Sequence, residues 1–285
     1  MPWQIGPMSP EIFLIVLFAA SLHAVWNAVV KGATDRTISL GLVTLGHTLP
    51  AILMAPFVPL PTPSLWPYIA ASAVIHWGYY YFLNMSYKLG DLSLVYPVAR
   101  GIAPLLVAIP ALIWLDETLP QTAWIGLFLI SAGILLIGLR RKRITGALPA
   151  LGMASLTGGT IALYTLVDGM GVRLAEQALT YIVWLFIAEG TAALCILLPR
   201  LTRLKAQSQR QLLLAFAGGL LSALAYGLAL YAKTKAPLGM VSALRETSVV
   251  IASMIGVFWF GEGPAKTRLL AAAVVAVGIV MLALA

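Results

Sequence analysis

The chain has 285 residues, of which 61% are drawn from the apolar set and only 10% are charged, and its mean hydropathy is +0.95. A soluble domain carries about 25% charged residues, so this chain cannot clothe a water-facing surface, and a soluble enzyme, a disordered tail and a coiled coil are excluded. What remains is a polytopic membrane protein, most of whose surface meets lipid.

Lys and Arg number 18 against 10 Asp and Glu, a net charge of +8. The basic residues sit in the breaks between apolar runs, so their excess reports topology and not a nucleic-acid partner. The one cysteine, Cys195, lies inside an apolar run and leaves no intrachain disulfide and no cysteine-based zinc site. No Lys or Arg precedes Lys31, so the first apolar run is expected to stay as a helix and not to be cleaved as a signal peptide.

Apolar runs of about 20 residues, each long enough to cross about 30 Å of hydrocarbon, fall in chain order at 11–30, 38–58, 65–87, 93–114, 121–139, 147–167, 178–198, 211–232, 238–260 and 266–285. The runs are continuous and do not alternate as barrel strands do, so each predicts a helix. The breaks carry Pro59, Pro61, Pro63, Gly90-Asp91, Pro120, the basic run Arg140–Arg143, Pro199 and Pro237. The fold class is therefore all-α integral membrane, with ten transmembrane helices.

Alternate breaks hold Lys31, Arg36, Lys88, Arg140, Arg141, Lys142, Arg143, Arg200, Arg203, Lys205, Arg210, Lys266 and Arg268, a count of 13. The other side, with both termini, holds 3: Arg173, Lys233 and Lys235. The positive-inside rule then places both termini outside the cytoplasm.

Shifting the chain by 145 residues brings Lys88 onto Lys233, Arg100 onto Arg245, Glu117 onto Glu262 and Gly133 onto Gly278. A shift of 137 brings Lys31-Gly32 onto Asp168-Gly169, and the longer basic loop 199–210 accounts for the difference. Two halves follow, 1–143 and 144–285, with five spans each. Five is odd, so the second half must cross the membrane in the opposite sense, an inverted repeat typical of secondary transporters.

The residues Trp114-Leu115-Asp116-Glu117-Thr118-Leu119, then Gln121, Gly126 and Gly133-Ile134-Leu135-Leu136, resemble the end of an EamA repeat. Phe260-Gly261-Glu262 with Gly278-Ile279-Val280-Met281 is similar, although Gly261 stands where the first half has Asp116. The resemblance is to the ten-helix branch of the drug/metabolite transporter superfamily and covers nearly the whole chain. It implies export of amino acids or other small metabolites across the bacterial inner membrane. It also implies a central cavity formed by spans 1, 3, 4, 6, 8 and 9, with spans 5 and 10 peripheral.

Charged groups at membrane depth are costly and mark candidate sites. Arg100 and Arg245 are equivalent under the repeat. Either suits a substrate carboxylate, since the planar guanidinium matches that group, or forms a structural pair with Glu246 or Glu189. Arg100 is the stronger candidate, because Glu246 adjoins Arg245 and would neutralise it locally. Glu189 and Glu246 are the candidate proton-coupling groups, although for Glu189 a hydrogen-bonded helix contact is the slightly favoured reading, because the resemblance does not count span 7 among the cavity-lining helices.

His76, Tyr79, Tyr80, Leu83 and Tyr87 share one helical stripe, and His23, Trp26, Asn27 and Val30 share another. Tyr96 stands one turn before Arg100, and under the repeat Tyr164 aligns with Asn27 and Tyr226 with Tyr81. Together these define a cavity lined by aromatic and polar groups. His47 reads as a packing contact. Gly126, Gly133, Gly138, Ala272, Ala276 and Gly278 allow close helix packing, within the chain or in a homodimer. Pro97, Pro104 and Pro110 should bend the fourth span.

A multidrug exporter for cations would lean on Glu189 and Glu246, and an integral-membrane enzyme would need clustered acids, metal spacing or an activated nucleophile. The sequence has no HExxH, paired-aspartate, Walker A or nucleophile-elbow motif, and none implies a cofactor. A small-molecule substrate and the lipid bilayer are the expected partners. With both termini outside the cytoplasm, alkaline phosphatase fused to the C-terminus should be active and green fluorescent protein there should be dark. The opposite pair of results would overturn the ten-span reading.

Overall fold

The computed structural model describes residues 6–31, 33–90, 92–139, 148–258 and 265–285. Gly32, Asp91, Arg140–Arg143 and Phe260-Gly261-Glu262 lie outside the described residues, as do the side chains of Val30, Lys31, Tyr87 and Gly138. Every long element among the described residues is an α-helix. They are α1 (Pro10–Lys31), α2 (Arg36–Met54), α3 (Trp66–Leu89), α4 (Leu92–Leu115), α5 (Gln121–Leu139), α6 (Leu148–Leu174), α7 (Ala178–Leu197), α8 (Leu201–Lys205), α9 (Gln209–Lys233), α10 (Leu238–Arg245), α11 (Thr247–Phe258) and α12 (Ala265–Ala283).

Six described segments are long and apolar enough to cross a membrane: those at α1, α2, α4, α6, α9, and α7 run together with α8. Shorter apolar helices lie in α5 and α12. At 24 residues α3 is long enough to cross, but His76, Asn84, Lys88 and a run of tyrosines dilute its apolar character. The ninth apolar run is not one helix. α10 closes at Glu246, which adopts helical dihedrals with its N–H on the carbonyls of Ala243 and Leu244, and α11 starts at Thr247. In contrast, α4 runs as a single helix past Pro97, Pro104 and Pro110.

Local chemistry explains several helix ends. Asp35 caps α2, its carboxylate accepting from the backbone N–H groups of Thr37 and Ile38 at 3.1 and 3.2 Å. Arg203 binds the other Asp35 oxygen at 2.7 Å. Partial burial pushes this carboxyl upward, but the Ile38 amide, Arg203 and the Thr37 amide outweigh it and hold the group below its ordinary value. A depressed carboxylate stabilises the fold above its unfolded value, and that contribution fades as pH falls through the depressed one. Beyond α4, Asp116 takes a left-handed conformation with φ of 54°, which aspartate tolerates better than most residues. The chain reverses there, and Glu117 N–H returns to the carbonyl of Ala111.

The helices pair with a consistent symmetry. α3 packs on α6 as α1 packs on α9; α4 on α6 as α1 on α10 and α11; α3 on α7 as α2 on α9. α2 meets α7, and α5 meets α12. Exchanging α1–α5 with α6, α7, α9, α10–α11 and α12 maps this set of contacts onto itself.

Glycine sets two of these approaches. A methyl group on Gly46 would lie 2.6 Å from the Cα of Gly219, and one on Gly126 would lie 2.8 Å from the carbonyl oxygen of Gly278. Gly133 likewise faces Val275 and Ala271. The small residues of the fifth and tenth spans are thus used inside one chain, α5 against α12. Because backbone cannot move aside as a side-chain tip can, Gly219→Ala should destabilise by about 1–3 kcal/mol, read as a lower melting temperature in detergent. Gly152→Ala meets no atom within 4 Å and should leave melting unchanged or slightly raised.

Candidate functional site

The site forms where α1, α3, α4, α6, α9 and α10 converge. The period of α3 brings His76, Tyr79 and Tyr80 to one face, and α6 is the partner of that face. The His76 ring stacks on Tyr164 with centroids 4.2 Å apart at 22°, and Tyr79 meets Tyr164 edge-on at 5.9 Å. Tyr226 from α9 completes the wall, 6.0 Å from Tyr164 and 6.1 Å from His76. Tyr80 OH lies 3.4 Å from Thr44 on α2.

Two guanidinium groups stand against this wall, and their surroundings differ. Arg100 is buried and pairs with Glu246 at 2.7 Å. Arg245 sits over the Tyr226 ring at 5.1 Å, a cation–π contact, with no carboxylate in ion-pair reach among the described residues. Glu246 makes its ion pair with Arg100 and not with its neighbour Arg245, although Arg245 still acts on it electrostatically. On a helix, adjacent residues point about 100° apart, so Glu246 is directed to α4 while Arg245 faces α9. Among the described residues Arg245 thus makes a ring contact where Arg100 makes an ion pair.

His23 lies within the electrostatic field of both arginines, and Tyr96 within that of Arg100 and Glu246. Trp26 and Asn27 reach this group only through His23: Trp26 Nε1 donates to its Nδ1 at 3.2 Å and Asn27 Nδ2 to its carbonyl at 2.8 Å. All eleven residues expected to bind substrate are thus at the site or one residue removed from it.

Beside the wall lies a second cluster. Glu189 on α7 is 2% exposed and sits between His47 of α2, at 3.2 Å, and His76 of α3, at 3.4 Å. His47 is thus more than a packing contact. Thr48, the next residue, donates to the Phe186 carbonyl at 3.0 Å, and Gly190 leaves room for its methyl group. These contacts fix α2 against α7 at the depth of the acid.

Three further functional-looking groups escape a reading of local sequence. Asp168 is fully buried and accepts hydrogen bonds from Tyr181 and Tyr226. Lys233 is fully buried too, its Nζ donating to the Thr165 carbonyl at 3.3 Å and lying 5.5 Å from the centre of the Tyr226 ring. Arg173 pairs with buried Glu117 at 2.5 Å and donates to the carbonyls of Lys233 and Ala236, while Glu117 accepts from Leu238 N–H at 2.8 Å. The only early signal for Asp168 was its alignment with Lys31.

Among the described residues no three His, Cys, Asp or Glu side chains converge on a metal position. A cleft of about 510 Å³ opens between α1, α11 and α12. Its walls are apolar and it holds none of the charged groups above.

A helical membrane protein of two similar halves, with buried charges and aromatic rings gathered between them, is built as a small-molecule transporter. Residues 10–139 and 148–284 each match the EamA-like transporter family, and the chain belongs to that family. A solved structure described only as the crystal structure of a protein is similar over 96% of this chain and 98% of its own, with a TM-score of 0.76 and 17% identity, which extends to the fold alone. No curated protein matches the chain significantly.

The Arg100–Glu246 pair yields a stability test. Removing one partner of a buried pair strands the other and costs about 3–5 kcal/mol. Arg100→Ala should therefore lower the melting temperature sharply, and adding Glu246→Gln should restore part of the loss. Independent, additive losses would show that the two groups do not depend on each other.

Proposed function

We propose that this chain is a secondary transporter that exports small amphipathic metabolites bearing a carboxylate, most plainly amino acids, across the bacterial inner membrane by alternating access. One observation carries the reading: Arg245 stands over the Tyr226 ring among buried aromatic groups, with no carboxylate in ion-pair reach among the described residues to neutralise it. A carboxylate would supply that neutralisation, and its guanidinium fork fits a two-oxygen anion. Tyr79, Tyr164, Tyr226 and His76 offer ring faces and hydrogen-bonding tips to the remainder of the solute.

Ten crossings are part of this proposal, counting α3, α5, α12 and the broken α10–α11 with the six long apolar segments. Residues 1–143 and 144–285 form the two inverted halves, and both termini face the periplasm. Burial of Arg173 and Lys233 supports that orientation, since it leaves Lys235 as the exposed cation of the sparsely charged side. The proton is the proposed coupling ion.

Export of cations fits less well. Both acids that would hold a cation are engaged, Glu246 by Arg100 and Glu189 by two histidines. Nothing in the small-residue faces calls for a homodimer, because α5 and α12 use them on each other.

Proteoliposomes loaded with labelled amino acids test the reading. Arg245→Lys keeps the charge and loses the fork, so export should fall about tenfold for each 1.4 kcal/mol of binding lost, and Arg245→Ala should fall further. Wild-type export by the alanine variant would reject the carboxylate role.

A further inference from the structure

The hydrogen bonds around His76 specify where a proton must sit. Its Nδ1 lies 2.9 Å from the backbone carbonyl oxygen of Ser72. Ser72 Oγ lies farther from the same nitrogen, at 3.3 Å, and a hydroxyl can accept as well as donate, whereas a carbonyl oxygen only accepts, so the shorter contact assigns the hydrogen to Nδ1. In the neutral ring Nε2 is then a bare lone pair, and it faces Glu189 Oε1 at 3.4 Å. Two acceptors facing each other in a buried site carry a cost, which favours uptake of a proton between them. His47 does not present this conflict, because its Nδ1 can donate to Glu189 Oε2 at 3.2 Å while the ring stays neutral. One more proton between His76 and Glu189 completes the hydrogen bonding and brings the trio to net zero charge.

We propose that the gap between His76 Nε2 and Glu189 Oε1, braced by His47, is the binding site of a proton that exchanges for the substrate. The inference rests on the transport reading above and assigns its coupling site. Of the two candidate acids, Glu246 is held by a permanent cation and Glu189 by groups that can gain or lose a proton. No Lys or Arg pairs with Glu189 among the described residues. The other titratable groups around it are Tyr80 of α3, Tyr164 and Asp168 of α6, Tyr181 of α7 itself and Tyr226 of α9. A metal ion would need the three side chains to converge, and they instead meet opposite oxygens of the carboxylate.

The site is placed to communicate with the cavity. His76 stacks on Tyr164 and meets Tyr226, whose ring also carries Arg245. A zwitterion anchored by its carboxylate at Arg245 has its ammonium group to place along this wall. A charged His76 repels that ammonium, so proton and substrate exclude one another and the transporter works as an antiporter. On loading, an N–H bond forms at Nε2 with a proton from one aqueous side, and the same proton leaves to the other side after the halves rock.

Proteoliposomes preloaded with L-phenylalanine and the internal pH dye pyranine test the proposal. Phenylalanine efflux by the wild type should acidify the lumen, because protons move inward as substrate leaves. Glu189→Gln should lower the protons moved per phenylalanine at least about tenfold, and His76→Gln, which also removes a ring of the binding wall, should lower that ratio together with the transport rate. Alkalinisation, no pH change in the wild type, or an unchanged proton ratio in the variants overturns it.

A second measurement needs no substrate. In nanodiscs with nitrogen-15 histidine, the wild type should show one imidazolium or strongly shared proton among its 3 histidines, lost in Glu189→Gln. Three neutral rings across about pH 5 to 8 would overturn the site. If the wild type moves no phenylalanine, the carboxylate reading fails for that solute, while the nitrogen spectrum still decides the proton site. The spectrum also decides for any variant that moves none.

Discussion

A charge inside an apolar interior must find a partner, and among the described residues the ion pairs each join one half of the chain to the other. His47 and His76 of the first half hold Glu189 of the second, Arg100 holds Glu246, and Glu117 holds Arg173. Breaking such a pair without replacement costs several kcal/mol, far more than separating apolar faces already adjusted to lipid. The charges therefore act as the register between the halves. The glycine contacts at Gly46–Gly219 and Gly126–Gly278 bring the backbones close enough for those side chains to meet.

The pairs are spread along the depth of the bundle. Asp35 and Arg203 join the halves at the end carrying most of the surface cations, and Glu117 and Arg173 join them at the other. The two junctions differ in kind. Arg203 is more than half exposed, and an exposed pair contributes at most about 1 kcal/mol. Glu117 is buried and also holds the first amide of α10, while Arg173 closes the carbonyls that end α9. Under the proposed alternating access, opening the first end would break an exposed pair and opening the second a buried network. A ligand would then shift the balance between the two arrangements only by binding them unequally.

Much of this was legible in the sequence. Long apolar runs gave the helices, because length and apolarity are local properties, and the tyrosines of α3 announced themselves by period. Pairing was not local. His47 and Glu189 are 142 positions apart and the Asp168 partners lie at 181 and 226, so neither cluster leaves a mark in any window. The break at Glu246 also hid, since the segment from Ser242 to Val249 holds no proline or glycine, while the three prolines of α4, which read as a bend, leave it one continuous helix. α3 shows the reverse effect: the polar groups that build the site are what weaken its apolar signal.

The two halves share a frame and differ where the chemistry happens. Asp116 and Gly261 look like a departure from the repeat, yet aspartate and glycine both tolerate the positive φ that Asp116 adopts. Arg100 and Arg245 show the converse, an identical residue with opposite roles. Arg100 lies within a continuous helix and faces an acid, whereas Arg245 ends α10, where the carbonyl ends of the helix favour a cation. Under the proposed function, this is the position at which a bound carboxylate would meet Arg245. A symmetric scaffold thus acquires a directional site by breaking one helix and leaving its counterpart whole.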